Sequence, residues 1–457
     1  MAIDTLGNPI SAEHTSEKDN SNVEVTITSI NSGPKIRIEK EPCAATIVSK
    51  YLPLDTEDAE GWWKDCGYLF GRFLQVGQYD LHEQYHHLLF LQKVLIPALG
   101  PYPQKWRSTV TRSGLPIEYS INFQANAKPT LRIGFEPSSF LSGTHRDPFN
   151  QIAINDLITN VTKLLLPGFD DMLFHHFTNE FFLSREEQRA LLDSGKITKN
   201  AVRSQAAFGF DLRGSNVSVK GYVFCRMKHY ATGQAVGQLV TEAVTKIDHH
   251  IQCADVFKLL NEYMEESNSY NQFTFLSWDC VDAPKSRLKL YGVHNEVTWR
   301  KITEVWTLNG RLDNPDIVKG LALLKELWQL LEIPEGDCGY SGRFDDGTAC
   351  GKNVFSPLMW NYELKRGSRY PQPKLYVPIH GINDLKVAEA LAAFYRVIGW
   401  NNLAVSYVQI VRALYPDQNI AETSRLQSWL SFAYTEKAGV YMSVYFHSSD
   451  SYPWSEN

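Results

Sequence analysis

Two spacings of apolar residues take turns along this chain. In some stretches they recur at steps of three and four, as a one-sided helix requires. In others they alternate with polar residues one by one, as in a strand with two unlike faces. Leu81, Tyr85, Leu88, Leu91 and Leu95 form the first clear helical stripe, closed by Pro97 and Gly100. Alternating runs follow at residues 116–123 and 130–137. The order then repeats: helix within 151–194, strands at 205–213 and 217–224; helix within 233–267, strands at 274–281 and 287–293. The next helix has Asn314 to cap it, Pro315 at its first position, and a stripe of Ile317, Leu321, Leu324, Trp328 and Leu331. Strands come at 356–364 and 374–381. Val387, Leu391, Phe394 and Ile398 mark a further helix, stopped by Gly399, before the last strands at 428–435 and 440–447.

This is five copies of helix, helix, strand, strand, with a period of roughly 70–90 residues. Five antiparallel hairpins can close into a ten-stranded barrel, which leaves no sheet edge. The expected fold is therefore α+β: a ten-stranded αββα barrel inside a ring of helices, occupying residues 51–457 as one domain. Residues 1–50 are rich in Ser, Thr, Asn, Glu and Lys, and are expected to be a mobile tail with a short strand near 23–30.

The alternating runs carry an unusual set of polar residues. Arg287, Lys289 and Tyr291 share one face of their strand, and Lys220 shares a face with Tyr222, as Lys374 does with Tyr376. Tyr441 and Tyr445 share another, and Arg132 adds a cation to a fifth. In one barrel these faces make a single positive, tyrosine-lined surface. Few acids stand beside the cations on the same strands, and uncompensated cations inside a barrel are costly unless they hold an anion. Phenol rings offer hydroxyl donors and π faces to a cation. A ligand with diphosphate at one end and a carbocation at the other suits both. Glu118, the one acid on the first barrel strand, faces the cavity, where it either pairs with a barrel cation or accepts an N–H.

Composition narrows the setting. The 457 residues are 43% hydrophobic and 21% charged, with a net charge of −6. That is ordinary for a globular chain, and it argues against nucleic acid as a partner. Seven scattered cysteines fit free thiols in a reducing compartment. With no secretory signal and no long apolar run, the expected location is the cytoplasm, away from membranes. Three motifs are weighed and set aside. His82-Glu83-Gln84-Tyr85-His86 matches HExxH, but no third zinc ligand follows at a suitable distance. The loop at 338–352 has three residues between Gly347 and Gly351, then Lys352 and Asn353, which is not a P-loop. Asp170-Asp171 and Asp345-Asp346 do not continue to DDxxD, the magnesium–diphosphate motif of metal-dependent prenyl transferases.

From about Trp62 to His447 the chain resembles the fungal aromatic (indole) prenyltransferases, the dimethylallyltryptophan synthase family. The resemblance rests on residues 96–103 (IPALGPYP), 114–120 with Glu118, 147–150 (DPFN) and 286–291. It implies the αββα barrel and metal-independent transfer of dimethylallyl from its diphosphate to an indole, with no cofactor. It also implies roles: Arg132, Lys220, Arg287 and Lys289 for the diphosphate, and Glu118 for the indole nitrogen. Tyr222, Tyr291, Tyr376, Tyr441 and Tyr445 would shield the allyl cation. Lys374 stands where tryptophan-modifying members carry glutamine, and a cation there still suits diphosphate. Ala207 stands where C4-prenylating members carry a lysine thought to be the base, which argues against that chemistry and leaves the base unassigned. Residues 104–109, 140–143, 424–429 and 439–448 are most like cyclic-dipeptide enzymes of deoxybrevianamide E synthase type. Those attach a reverse dimethylallyl group at indole C2 of brevianamide F (cyclo-L-Trp-L-Pro), in indole alkaloid biosynthesis. The alternatives are a mono-oxo piperazine acceptor, another indole position, or a barrel that only carries a phosphate-bearing lipid or aromatic metabolite. A monomer or homodimer is expected.

Overall fold

The computed structural model describes residue 34 and residues 44–198, 201–337 and 357–449. Ten strands close into an antiparallel barrel. They are β1 Ile117–Gln124, β2 Thr130–Phe135, β3 Ala206–Arg213, β4 Asn216–Phe224, β5 Phe275–Asp279 and β6 Leu288–His294. After a two-stranded ribbon, β7 Glu296–Val297 with β8 Gly336–Asp337, come β9 Leu358–Leu364, β10 Gln372–Pro378, β11 Gln427–Thr435 and β12 Gly439–Phe446. Each hairpin also pairs with the next, and β12 pairs with β1 to close the ring.

Helices precede every hairpin, among them Leu81–Phe90, Gln151–Lys163, Val236–Ile251, Pro315–Leu331 and Asp384–Val397. The period of each sequence stripe decides what they bury. Leu239, Val240, Ala243, Val244 and Ile247 lie on one side of Val236–Ile251 and are buried, while the barrel offers Ile121, Phe123, Leu131, Phe208 and Phe210 outward to the same core. Outward-facing apolar and inward-facing polar positions are thus both used, as the alternation demands. Two glycines let indole rings lie flat on this outer face. Gly221 pairs with Trp278 and Gly292 with Trp360, and a Cβ at either glycine would overlap the ring.

The cap of Pro315–Leu331 forms as expected, with Asn314 Oδ1 accepting from the Ile317 N–H at 3.3 Å. Glu83 of the HExxH run serves its own helix, where its carboxylate accepts the Asp80 N–H at 2.8 Å and completes a capping box. Of the stretch expected to be a tail, residues 44–48 form a helix with Ala44 and Ala45 buried. The expected strand near 23–30, the loop at 338–352 and Asp345-Asp346 lie outside the described residues. No described helix is long and apolar enough to cross a membrane.

Candidate active site

The strand register stacks the inward side chains in layers. Within the hairpins, Arg132 stands opposite Ser120, Lys220 opposite Gly209, Lys289 opposite Ser277 and Lys374 opposite Asn361. Tyr441 holds the same place on the fifth hairpin, opposite Ala433. This is one ring of four cations and a tyrosine, always from the second strand and always facing a small or amide residue. Two residues further on, about 7 Å along the strands, come Tyr222, Tyr291 and Tyr376. On β1 and β2 that step brings Glu118 opposite Gly134. Along the barrel axis the order is therefore cations, then tyrosines with Glu118. The cations, the tyrosines and Glu118 all line a single cavity of about 450 Å³, a size suited to small organic ligands.

One premise from the sequence needs correction: the cations are not uncompensated. Acids arrive from the neighbouring strands. Arg132 pairs in register with Asp211, Lys220 with Asp279, and Lys289 with Glu363. Lys220 Nζ lies 2.5 Å from Asp211, whose other oxygen is 3.2 Å from Arg132 Nε. Arg287, just before β6, grips Asp279 through Nε at 2.6 Å and Nη2 at 3.0 Å, and reaches Glu363 at 3.4 Å. Lys289 is 3.8 Å from Glu363. Burial opposes ionisation of these acids, but the neighbouring cations outweigh it: Asp279 and Glu363 are brought down to about 2, and Asp211 further. A same-strand search cannot find them. Their sequence signal is a single acid between apolar residues, in Phe210-Asp211-Leu212, Trp278-Asp279-Cys280 and Tyr362-Glu363-Leu364.

The supply of acids stops at two hairpins. Positions equivalent to Asp211, Asp279 and Glu363 hold Thr435 on β11 and Asn122 on β1. Lys374 has no ion-pair partner among the described residues. Its Nζ instead lies 4.3 Å from the centroid of the Tyr441 ring, and burial, with Arg132 and Lys289 nearby, lowers it to about 8. Arg132, Lys220, Arg287, Lys289 and Lys374 meet three acids, Asp211, Asp279 and Glu363, so this set of five keeps a surplus of two positive charges, with Lys374 the member that has no acid beside it. A pair of unit charges about 4 Å apart is worth roughly 4 kcal/mol at an effective dielectric near 20, so this surplus is a strong anion seat.

The tyrosines form a continuous wall. Ring centroids of Tyr222 and Tyr291 are 6.4 Å apart, of Tyr291 and Tyr376 6.1 Å, and of Tyr376 and Tyr445 5.9 Å. Phe275, which the sequence reading missed, stacks on Tyr291 at 4.1 Å. Burial raises all four phenols, so they stay neutral and present π faces without a charge. Tyr441 stands apart from this wall. Its hydroxyl accepts a hydrogen bond from Arg132 Nη2.

Glu118 makes no ion pair among the described residues, so the pairing with a barrel cation is not found. Its one hydrogen bond is long, from Ser428 Oγ at 3.4 Å. Although it opens onto the cavity, it sits deep in the barrel, and burial raises its carboxyl to about 8. Ala207 faces the cavity opposite Tyr222. The segment bearing Thr109–Arg112 also lines the cavity. It is tied down by buried Glu136, which accepts from Trp106 Nε1 at 2.8 Å, Ser108 Oγ at 2.5 Å and Ser204 Oγ at 2.6 Å. Asn150 of the DPFN run joins this hub, and Asp147 of the same run caps the next helix through the Gln151 and Ile152 N–H groups.

This arrangement can hold a polyanion in one layer and, in the next, shelter a cation among the tyrosines and accept a hydrogen bond at Glu118. A family profile described as tryptophan dimethylallyltransferase matches residues 58–410. Echinulin prenyltransferase 1 of Aspergillus ruber is 52% identical over 415 residues, covering 90% of this chain and 98% of that protein. Deoxybrevianamide E synthase notF of Aspergillus sp. (strain MF297-2) is 50% identical over 431 residues, 93% of this chain and 95% of that protein. Among solved structures, NotF in complex with brevianamide F and DMSPP superposes with a TM-score of 0.82 at 50% identity, covering 90% of this chain and all of that one. AnaPT from Neosartorya fischeri gives 0.79 at 32% identity, with 90% and 98% covered.

Proposed function

The chain belongs to the tryptophan dimethylallyltransferase family, and on that premise we propose that it transfers dimethylallyl, without a metal ion, from dimethylallyl diphosphate to the indole of a tryptophan-containing cyclic dipeptide. The proposed acceptor is brevianamide F and the proposed product the C2 reverse-prenylated deoxybrevianamide E, made in the cytosol by residues 51–457 acting as one barrel domain. The observation that carries this reading is the layering of the cavity: surplus cations in one layer, and in the next neutral tyrosines together with a carboxylate without a counter-ion. The acceptor assignment is supported by the relatives named for that chemistry and by the complex of NotF with brevianamide F.

Arg132, Lys220, Arg287, Lys289 and Lys374 are to hold the diphosphate and take up the charge that grows on it as the C–O bond breaks. Preorganised cations in a water-poor cavity serve this without reorganising. Tyr222, Tyr291, Tyr376 and Tyr445, with Phe275 behind, cover the allyl cation so that indole and not water attacks it. Glu118 accepts the indole N–H, a bond that strengthens as positive charge spreads onto nitrogen. A barrel that only carried anions would gain nothing from Glu118. Incubation with dimethylallyl diphosphate and a panel of indoles, read by mass spectrometry and NMR, tests the reading. A prenylated cyclic dipeptide supports it, and donor binding without transfer to any indole refutes it.

A further inference from the structure

The transfer itself sets a proton balance. The indole loses a proton when the new carbon–carbon bond forms, and free diphosphate near neutral pH carries one more proton than its ester. Water can supply that proton after release, but a protein acid at the cation end that supplies it as the C–O bond breaks also lowers the charge on the leaving oxygen. The five-fold repeat marks the place. On four hairpins the cation-layer position is Arg or Lys, and on the fifth it is Tyr441. Tyr441 sits where the acids run out, with Asn122 and Thr435 at the two positions that would hold them.

The charged groups facing it come from four other strands or their ends. Arg132 on β2 donates to its hydroxyl, and Lys374 on β10 lies 4.3 Å from its ring centroid. Asp211 on β3 opposes its ionisation, and Arg287 lies within electrostatic reach. Among the described residues, Tyr441 is the cavity tyrosine held by two cations, whereas Tyr222, Tyr291, Tyr376 and Tyr445 lie against one another at tilted angles.

We propose that Tyr441 is the acid that protonates the leaving diphosphate, a role resting on the proposed prenyl transfer. In the empty barrel burial opposes ionisation of this phenol, but Arg132 and Lys374 outweigh it and bring it down to about 7. The ring then serves as an internal anion between two cations. An arriving diphosphate takes over both cations, and the phenol regains a proton from solvent. When the donor C–O bond breaks, its electron pair goes to the diphosphate oxygen and the Tyr441 O–H proton follows. The phenolate left behind is again held by Arg132 and Lys374, and the diphosphate departs protonated.

Two measurements on the intact protein test this. Dimethylallyl thiolodiphosphate, a donor analogue slow to ionise, is added at about pH 8, where the empty-site phenol is largely ionised, and tyrosinate absorbance is followed. Wild type is expected to lose the absorbance of one tyrosinate on binding, and Tyr441→Phe none. In single turnover with dimethylallyl diphosphate, Tyr441→Phe is expected to bind the donor undiminished yet transfer about a hundredfold more slowly. Phe keeps the ring, so a purely shielding role leaves this rate unchanged. Analogue binding without loss of tyrosinate, or wild-type transfer by Tyr441→Phe, overturns the proposal alone. Failure of wild type to bind the analogue at all overturns the prenyl-transfer reading with it.

Discussion

Glu118 offers the sharpest perturbation, because removing it should cost the fold little. It has no ion pair to break and only a 3.4 Å bond from Ser428 to lose, so no buried cation is left alone. Its contribution should instead appear when indole N–H binds. A charge-assisted hydrogen bond is worth about 1.5–3 kcal/mol, which is roughly a tenfold to hundredfold change in rate. Glu118→Gln keeps an oxygen in place without the charge, and Glu118→Ala keeps neither. Indole prenylation is expected to fall in the order wild type, Gln, Ala. Slow hydrolysis of the diphosphate should persist in both variants, because the cation layer is intact. The pH profile adds a second sign. Burial holds the carboxyl near 8, so its ionised share rises from about a tenth at pH 7 to about a half at pH 8. The kcat/KM for the acceptor should therefore rise about fivefold over that interval in wild type, and Glu118→Gln should lose this rise. Single-turnover prenylation followed by chromatography, with released diphosphate measured in parallel, reads all of this. The reasoning fails if Glu118→Ala prenylates at the wild-type rate, or if hydrolysis collapses in step with prenylation.

Arg287→Ala and Lys289→Ala should each remove a charge-assisted donor contact of about 1.5–3 kcal/mol, and together slow donor turnover at least tenfold, about 1.4 kcal/mol. Arg287→Ala should also lower the melting temperature more than Lys289→Ala, since it strips both of its bonds from half-buried Asp279; wild-type donor kinetics in both variants would mean that this face does not meet the diphosphate. Gly221→Ala and Gly292→Ala should each destabilise by about 1–3 kcal/mol through overlap with Trp278 or Trp360, and an unchanged thermal melt in either would contradict the packing described.

The fold was legible because the period of the apolar pattern switches back and forth at regular intervals, and each switch marks a strand pair or a helix pair. The expected strands and the observed ones differ by a few residues at their ends, as at residues 374–381 against Gln372–Pro378. The cation and tyrosine layers were legible for the same reason, since i and i+2 share a face. What the alternation could not reveal is the neighbour across the ladder. Asp211, Asp279 and Glu363 meet their cations only through register between hairpins, and register depends on closure of the whole barrel. The same limit hid the separation of Tyr441 from the other tyrosines. On one strand it looks like Tyr445, but across the barrel it faces Arg132 and Lys374. Ala207, which lines the cavity, was singled out in the sequence only because a resemblance drew attention to it. A small residue on a strand carries no chemical signal of its own.

The most direct test of metal-free prenyl transfer is the reaction itself, with metal withheld. The protein is incubated with dimethylallyl diphosphate and brevianamide F in excess EDTA, and the product is read by mass spectrometry and NMR. A cyclic dipeptide heavier by one dimethylallyl group, with the new bond at indole C2 through the tertiary allyl carbon, is the expected result. Complete loss of product in EDTA, restored by magnesium or zinc, would contradict the claim that the barrel's own cations drive the ionisation.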